Sequence, residues 1–266
     1  MKVVLLTNCS LKSKYLEKLI VDNKISLVKV IRIFNPNQTK KNTFFNFFKK
    51  TKLFLSNFKK RLLQSSKTNK ILDYEENCKV FYEKKINSYI QKKSGGKLKT
   101  GVETLFSDNI NSDKVVNELK RIQPDICVVW GTPIIKQKVL ETCNVFLNAH
   151  TSILPEFRGT RSEFWQCLEN RPDKVGVSFH KIDKGVDTGL IIKQIQQKNL
   201  IPFESYHLRY QNTITIFENY TKVILSVING KAKYIKQKQN KKNRTYKYSD
   251  ITIELRVECY KKLLNL

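Results

Sequence analysis

The residues of this chain best suited to chemistry are Asn148 and His150. They close an apolar run, Val145-Phe146-Leu147, and a polar loop punctuated by proline and glycine follows at 151–159. That pattern reads as a buried strand opening into a cleft. Side chains alternate along a strand with a period of two, so Asn148 and His150 share one face. A neutral amide beside an imidazole suits acyl transfer. The imidazole handles a proton near neutral pH, and the amide steadies a carbonyl oxygen as it becomes an oxyanion. The candidate partner for the imidazole is Asp187, held between Gly185 and Gly189 in a segment (175–192) that reads as strand, turn, strand. Glycines there let backbone approach a ligand closely. A carboxylate at that turn would orient the imidazole and stabilise its protonated form. His180 and His207 are read as structural, because strand register alone decides whether His180 faces a cleft.

Positioning these groups requires a scaffold, and the chain supplies a readable one. Residues 3–7 form an apolar strand pattern, 11–22 an amphipathic helix and 26–33 a second strand. After an interruption, 102–106 gives a third strand, 112–122 a helix with Ser112 as N-cap, and 125–130 a fourth strand. Strands alternating with helices predict an α/β, Rossmann-like fold, with a mostly parallel sheet covered by helices on both faces. In such a sheet the ligand cleft lies at the carboxyl ends of the strands, where Gly131-Thr132-Pro133-Ile134 and His150 both fall. The catalytic domain is placed at 1–200 and a small C-terminal α+β extension at 201–266. That extension opens on a long helix near 203–228, continues as a basic strand-like stretch at 231–248 and ends in a short helix.

The interruption at about 34–100 is too long for an ordinary connection and is read as a helical insertion. Its part from 40 to 61 holds eight basic residues, no acidic one and six phenylalanines. On a helix, Phe44, Phe48, Leu55, Phe58 and Leu62 share a broad face flanked by lysines. Such a helix can lie on an anionic membrane, but packing on its own sheet or another subunit is the favoured reading. Ser94-Gly95-Gly96 closes the insertion.

Composition narrows the classes. The 266 residues carry a formal charge of +27, yet 41 of the 50 basic residues are lysine. Base readout and bidentate phosphate recognition favour arginine, so the surplus looks compositional and no specific nucleic-acid partner is expected. The amino-terminal apolar stretch is too short for a secretory signal, and no run approaches the roughly 18 apolar residues of a membrane span, so a cytoplasmic protein is expected. The six cysteines show no Cys-x-x-Cys spacing, so free thiols and no metal site are expected.

Taken together, Asn148, His150, the Leu154-Pro155-x-x-Arg158-Gly159 loop and the Gly185-Val186-Asp187-Thr188-Gly189 turn resemble the formyltransferases that use N10-formyltetrahydrofolate. The resemblance is specific over 124–193 and implies a formyltransferase fold in which Asn148, His150 and Asp187 are catalytic. It places the folate against Gly131, Thr132, Pro133, Ile134, Lys184 and Gly185. Ser10, Arg158 and Glu163 are implied to meet the acceptor, although Thr160-Arg161-Ser162-Glu163 also reads as a capping box opening a helix through Trp165. No metal is implied.

The acceptor is open to several readings. Glycinamide ribonucleotide transformylases open on a Gly-rich phosphate loop, and Thr7-Asn8-Cys9-Ser10-Leu11 has no glycine. Methionyl-tRNA formyltransferases carry a full β-barrel domain after the catalytic core, and 201–266 is short for one. The loop and turn segments look most like sugar N-formyltransferases, which formylate nucleotide-linked amino sugars for surface polysaccharides such as lipopolysaccharide O-antigen. By resemblance a homodimer is expected. Alternatives are a binding protein on the same scaffold and a hydrolase of formyl-folate.

Overall fold

A computed structural model describes residues 1–34, 66–238 and 244–264. The five phenylalanine and leucine positions of the proposed stripe, Phe44, Phe48, Leu55, Phe58 and Leu62, lie outside the described residues. The elements run β1 (Val3–Asn8), α1 (Leu11–Asp22), β2 (Leu27–Ile33), α2 (Ser66–Ser94), β3 (Thr104–Ser107), α3 (Asp113–Ile122), β4 (Ile126–Trp130), α4 (Gln137–Leu140), β5 (Phe146–His150), β6 (Arg158–Gly159), α5 (Ser162–Leu168), β7 (Gly176–Lys181), β8 (Ile191–Gln196), α6 (Ser205–Ile228), β9 (Thr245–Tyr246) and α7 (Ile253–Leu264). A seven-stranded sheet of order β3-β2-β1-β4-β5-β7-β8 forms the centre. Its strands are parallel up to β5, and the last two are antiparallel to their neighbours.

The apolar strand runs are buried on both sides, as a parallel sheet requires. One face packs Leu16 and Ile20 of α1 and Ile216, Tyr220, Val223 and Ile224 of α6 against Val3, Leu5, Val128 and Leu147. The other packs Val115, Val116 and Leu119 of α3 and Val139 of α4 against Val4, Leu6, Cys127 and Phe146. Each fully buried aliphatic or aromatic side chain contributes about 1.5–3 kcal/mol. The long helix α6, expected in the C-terminal extension, is therefore part of the sheet's own core. Beyond it, α7 packs Cys259 and Tyr260 against Ile71 of α2 and Phe164 and Trp165 of α5.

Local signals act as read from the sequence at several ends. Ser112 caps α3 by accepting from the Val115 N–H. The helix α2 stops at Ser94, ahead of Gly95 and Gly96, both of which hold positive φ. The capping box expected at 160–163 does not form. Helix α5 begins at Ser162 after Arg161, which is left-handed (φ 60°) and makes no side-chain cap bond. The reason is local competition: Thr160 donates its N–H to the Tyr246 carbonyl in the β6–β9 contact, and the Ser162 hydroxyl is drawn to the Phe157 carbonyl. All six cysteines are free thiols. Among the described residues, no helix is long and apolar enough to cross a membrane.

Candidate active site

The alternation of β5 decides what reaches the cleft. Leu147 and Ala149 point into the core under α1 and α6, while Phe146 packs on the α3 and α4 side. Asn148 and His150 continue on the Phe146 side, past the end of the helical cover. The antiparallel neighbour β7 pairs Asn148 with His180 and His150 with Ser178, and cross-strand partners share a face. Val177 and Phe179 are in the core, so His180 is aimed into the cleft. Its structural reading from the sequence gives way here, because register, invisible in a single strand, is set by the β5–β7 pairing.

Asp187 sits between the two imidazoles. Its Oδ2 is 3.4 Å from His150 Nδ1 and its Oδ1 is 3.5 Å from His180 Nε2. The Gly159 N–H donates to Oδ2 at 2.8 Å. Burial pushes the Asp187 carboxyl up, but the charge of His150, the neighbouring His180 ring and the Gly159 N–H outweigh it. The group is held well below the usual carboxylate range. Asp187 itself has positive φ (53°), a conformation that aspartate tolerates better than most residues and that backbone accepts at functional sites. Gly159 also has positive φ, and a side chain there would run into the Tyr246 carbonyl.

The hydrogen bonds assign directions. His150 Nε2 is 2.9 Å from the Phe157 carbonyl, which can only accept, and the Ser162 hydroxyl donates to the same carbonyl at 3.0 Å. The imidazole therefore lies between two acceptors, this carbonyl and Asp187. His180 Nδ1 faces the Lys181 carbonyl at 3.1 Å, which leaves Nε2 to accept from the Asn148 amide at 3.2 Å. With one N–H committed to His180, Asn148 keeps its second for a ligand.

These groups close the inner end of a cavity of about 240 Å³, walled by Trp130, Pro133, Ile135, Ile182 and Val186. A cavity with apolar side chains on one part of its wall and a cluster of hydrogen-bonding groups on another fits a flat heteroaromatic ring that carries a reactive carbonyl. Gly131, Thr132, Pro133, Ile134 and Gly185 line it, while Lys184 is exposed and is not among the lining residues. A second cavity, of about 400 Å³, shares Trp130 and Gly131 with the first and brings together Ser10 and Glu163. It lies over the ends of β1 and β4, where the strand order reverses and α/β sheets open a crevice. Thr7 Oγ1 to the Trp130 carbonyl (2.8 Å) and Asn8 Nδ2 to the Gly131 carbonyl (3.0 Å) fix that junction.

Arg158 lines neither cavity. It is buried, and its Nη2 donates to Gln237 Oε1 at 2.8 Å. Gln237 in turn donates to the carbonyls of Asp187 (2.9 Å) and Gly189 (2.8 Å), so the C-terminal segment clamps the Asp187 turn. Sequence reasoning missed Gln237, Ser162 and the Phe157 carbonyl. Backbone groups and a glutamine in a lysine-rich stretch carry no motif.

Known proteins resemble this chain in sequence and fold. A methionyl-tRNA formyltransferase of Finegoldia magna is 35% identical over 114 residues, which cover 41% of this chain and 36% of that protein. The chain thus matches about a third of that relative's length. Among solved structures, a 4-N formyltransferase from Francisella tularensis superposes with a TM-score of 0.58 at 15% identity, covering 97% of this chain and 86% of the other. An N-formyltransferase from Helicobacter canadensis, in complex with folinic acid and dTDP-3-aminofucose, gives 0.55 at 17% identity, covering 97% and 79%. At those identities the structures attest the fold. The pattern of the formyl transferase family matches residues 59–225, a stretch that holds the β5 pair, the β7 histidine and the Asp187 turn, and this chain belongs to that family.

Proposed function

We propose that this protein transfers the formyl group of N10-formyltetrahydrofolate to the amino group of a nucleotide-linked amino sugar. The observation that carries formyl transfer is the Asn148, His150, His180 and Asp187 cluster that lines the first cavity with Trp130, Pro133 and Ile182. Bound in that cavity, the folate supplies the formyl carbon as electrophile. The free N–H of Asn148 meets the negative charge that gathers on the formyl oxygen, and the His150 ring, held between Asp187 and the Phe157 carbonyl, lines the same cavity. A carboxylate as acidic as Asp187 holds a proton poorly. Its part is to fix His150 and stabilise the charged ring, while the proton shed by the attacking amine passes through the imidazole or water to the departing folate nitrogen. A new N–C bond forms and the folate N–C bond breaks, with no net redox change.

Support for a small anionic acceptor comes from the second cavity, lined by Arg209, Ser10 and Thr213. The likeness to the Helicobacter canadensis enzyme, whose complex holds a nucleotide-linked amino sugar, points the same way. A second reading, methionyl-tRNA as acceptor, is favoured by the Finegoldia magna relative. The proposal includes a homodimer acting in the cytoplasm on precursors of surface polysaccharide. A mass-spectrometric screen of dTDP-, UDP- and GDP-linked amino sugars with N10-formyltetrahydrofolate should show the gain of one formyl group on at least one of them. Formylation of methionyl-tRNA with every sugar left unchanged would replace this reading by the second.

A further inference from the structure

Glu163 is the anomaly of the second cavity. The residue is 1% exposed, and both carboxylate oxygens are buried without a hydrogen-bond partner among the described residues. Arg209 Nη2 stands 3.6 Å from Oε2, too far for a hydrogen bond, and Arg161, itself engaged with Tyr206 and Glu75, acts on the carboxylate through its charge alone. Lys12, on the same wall, is taken by Glu83 of α2 at 2.7 Å. A carboxylate withdrawn from water without donors is a standing cost to the fold, and a glutamine or an apolar side chain would pack there more cheaply. Helix α5 nevertheless holds the group rigidly at the cavity wall, one residue after Ser162, whose hydroxyl lies 3.2 Å from His150 Nε2. The missing donors are then expected from a ligand in the cavity.

We propose that Glu163 is the specificity-determining residue for the acceptor: its carboxylate receives hydrogen bonds from a donor on the amino sugar, a hydroxyl or the ammonium form of the amine. The inference rests on the nucleotide-linked acceptor proposed above. Hydrogen bonds to a buried charge discriminate strongly against ligands that lack the donor, because the carboxylate is then left bare.

The test is calorimetric, on the full chain, with dTDP- and UDP-linked amino sugars each set against its bare nucleoside diphosphate. Wild type should prefer an amino-sugar nucleotide, and Glu163→Gln should reduce that preference by about tenfold or more. Affinity for the bare diphosphate and for folinic acid should not change, and folinic acid binding also reports that the variant is folded. An N-acetylated sugar nucleotide separates the two donors: a Glu163 effect that disappears assigns the ammonium, and one that persists assigns a hydroxyl. An unchanged preference in Glu163→Gln would overturn the proposal, as would a loss of folinic acid binding of the same size. If wild type binds folinic acid but no nucleotide probe, the acceptor class and the role of Glu163 both fall while formyl transfer stands. If it binds the sugar nucleotides but not folinic acid, the formyl-folate reading fails and the Glu163 comparison is still read.

Discussion

The two cavities that meet at Trp130 and Gly131 are built on opposite plans. In the first, the polar groups are already paired: Asp187 with Gly159 and His150, His180 with Lys181 and Asn148, and His150 with Phe157. In the second, Glu163 is buried, its oxygens accept no hydrogen bond among the described residues, and Arg209 stands off at 3.6 Å. The first is preorganised for a charge that develops during reaction, which costs little reorganisation at the moment it is needed. The second is organised for a ligand that has yet to bring its donors. Chemistry shared by a family can be completed inside the fold, whereas recognition of one acceptor is left to the acceptor.

The contrast predicts its largest effects in the first cavity. His150→Ala or Asp187→Asn should lower kcat/KM by about 100- to 1000-fold, equivalent to about 3–4 kcal/mol of transition-state stabilisation, with the fold retained. Steady-state kinetics with the acceptor found by the screen measures this, and near wild-type turnover in either variant would break the assignment. His180→Ala should cost less, about 10- to 50-fold in kcat, with acceptor KM unchanged, because His180 acts through the orientation of Asn148. His180→Gln keeps an oxygen that can accept from the Asn148 amide and should recover part of the loss. A rise in acceptor KM in place of a fall in kcat would move His180 from the chemistry to binding.

The asymmetry between the cavities also explains what was legible in the sequence. Asn148 and His150 were visible because period-two alternation depends on local chain geometry alone, and Asp187 because two glycines mark its turn. The sheet and most of its helices followed from the same periodicities. His180 was hidden because its orientation depends on which residue of β5 it pairs with, a fact held in another strand. Gln237 was hidden because it reaches Asp187 across fifty residues of chain with no motif of its own. Glu163 drew two readings, cap and ligand. Its helix start shows why the first fails: the residue that should cap, Thr160, is spent on the Tyr246 carbonyl. The stripe at 40–61 had clear periodicity, but periodicity cannot tell a packed face from one laid on a membrane.

Stability gives a sharper test, since the same chemical change should have opposite signs in the two cavities. Asp187→Asn replaces a carboxylate whose charged form is favoured by its surroundings, and should destabilise the fold by about 1–3 kcal/mol at neutral pH. Glu163→Gln removes a buried charge that accepts no hydrogen bond among the described residues, and should be neutral or stabilising by up to about 1–2 kcal/mol. Arg209 stays partly exposed in that variant and finds water. Denaturant midpoints of the two variants measure the signs directly. A Glu163→Gln variant as destabilised as Asp187→Asn would show that Glu163 is an ordinary member of the core.

The smallest effect is a change of that stability gap with pH. The carboxyl of Asp187 is held well below its ordinary value in the folded state, so the folded protein binds fewer protons there than the unfolded chain does. Its contribution is fully present above the unfolded carboxylate pKa of about 3.9 and is lost as pH falls from there toward the folded value. Glu118 and Asp173, both lowered to about 2 chiefly by hydrogen bonds from Arg121 and Arg171, titrate over the same range. They do so equally in wild type and in Asp187→Asn, and therefore cancel in the difference. The gap between the two proteins should accordingly narrow as pH drops from about 4. Denaturant titrations at a series of pH values measure it. A gap that stayed constant down to pH 3 would mean that the Asp187 charge is no better stabilised in the fold than in the unfolded chain, and the cleft would lose its claim to be the preorganised half of the pair.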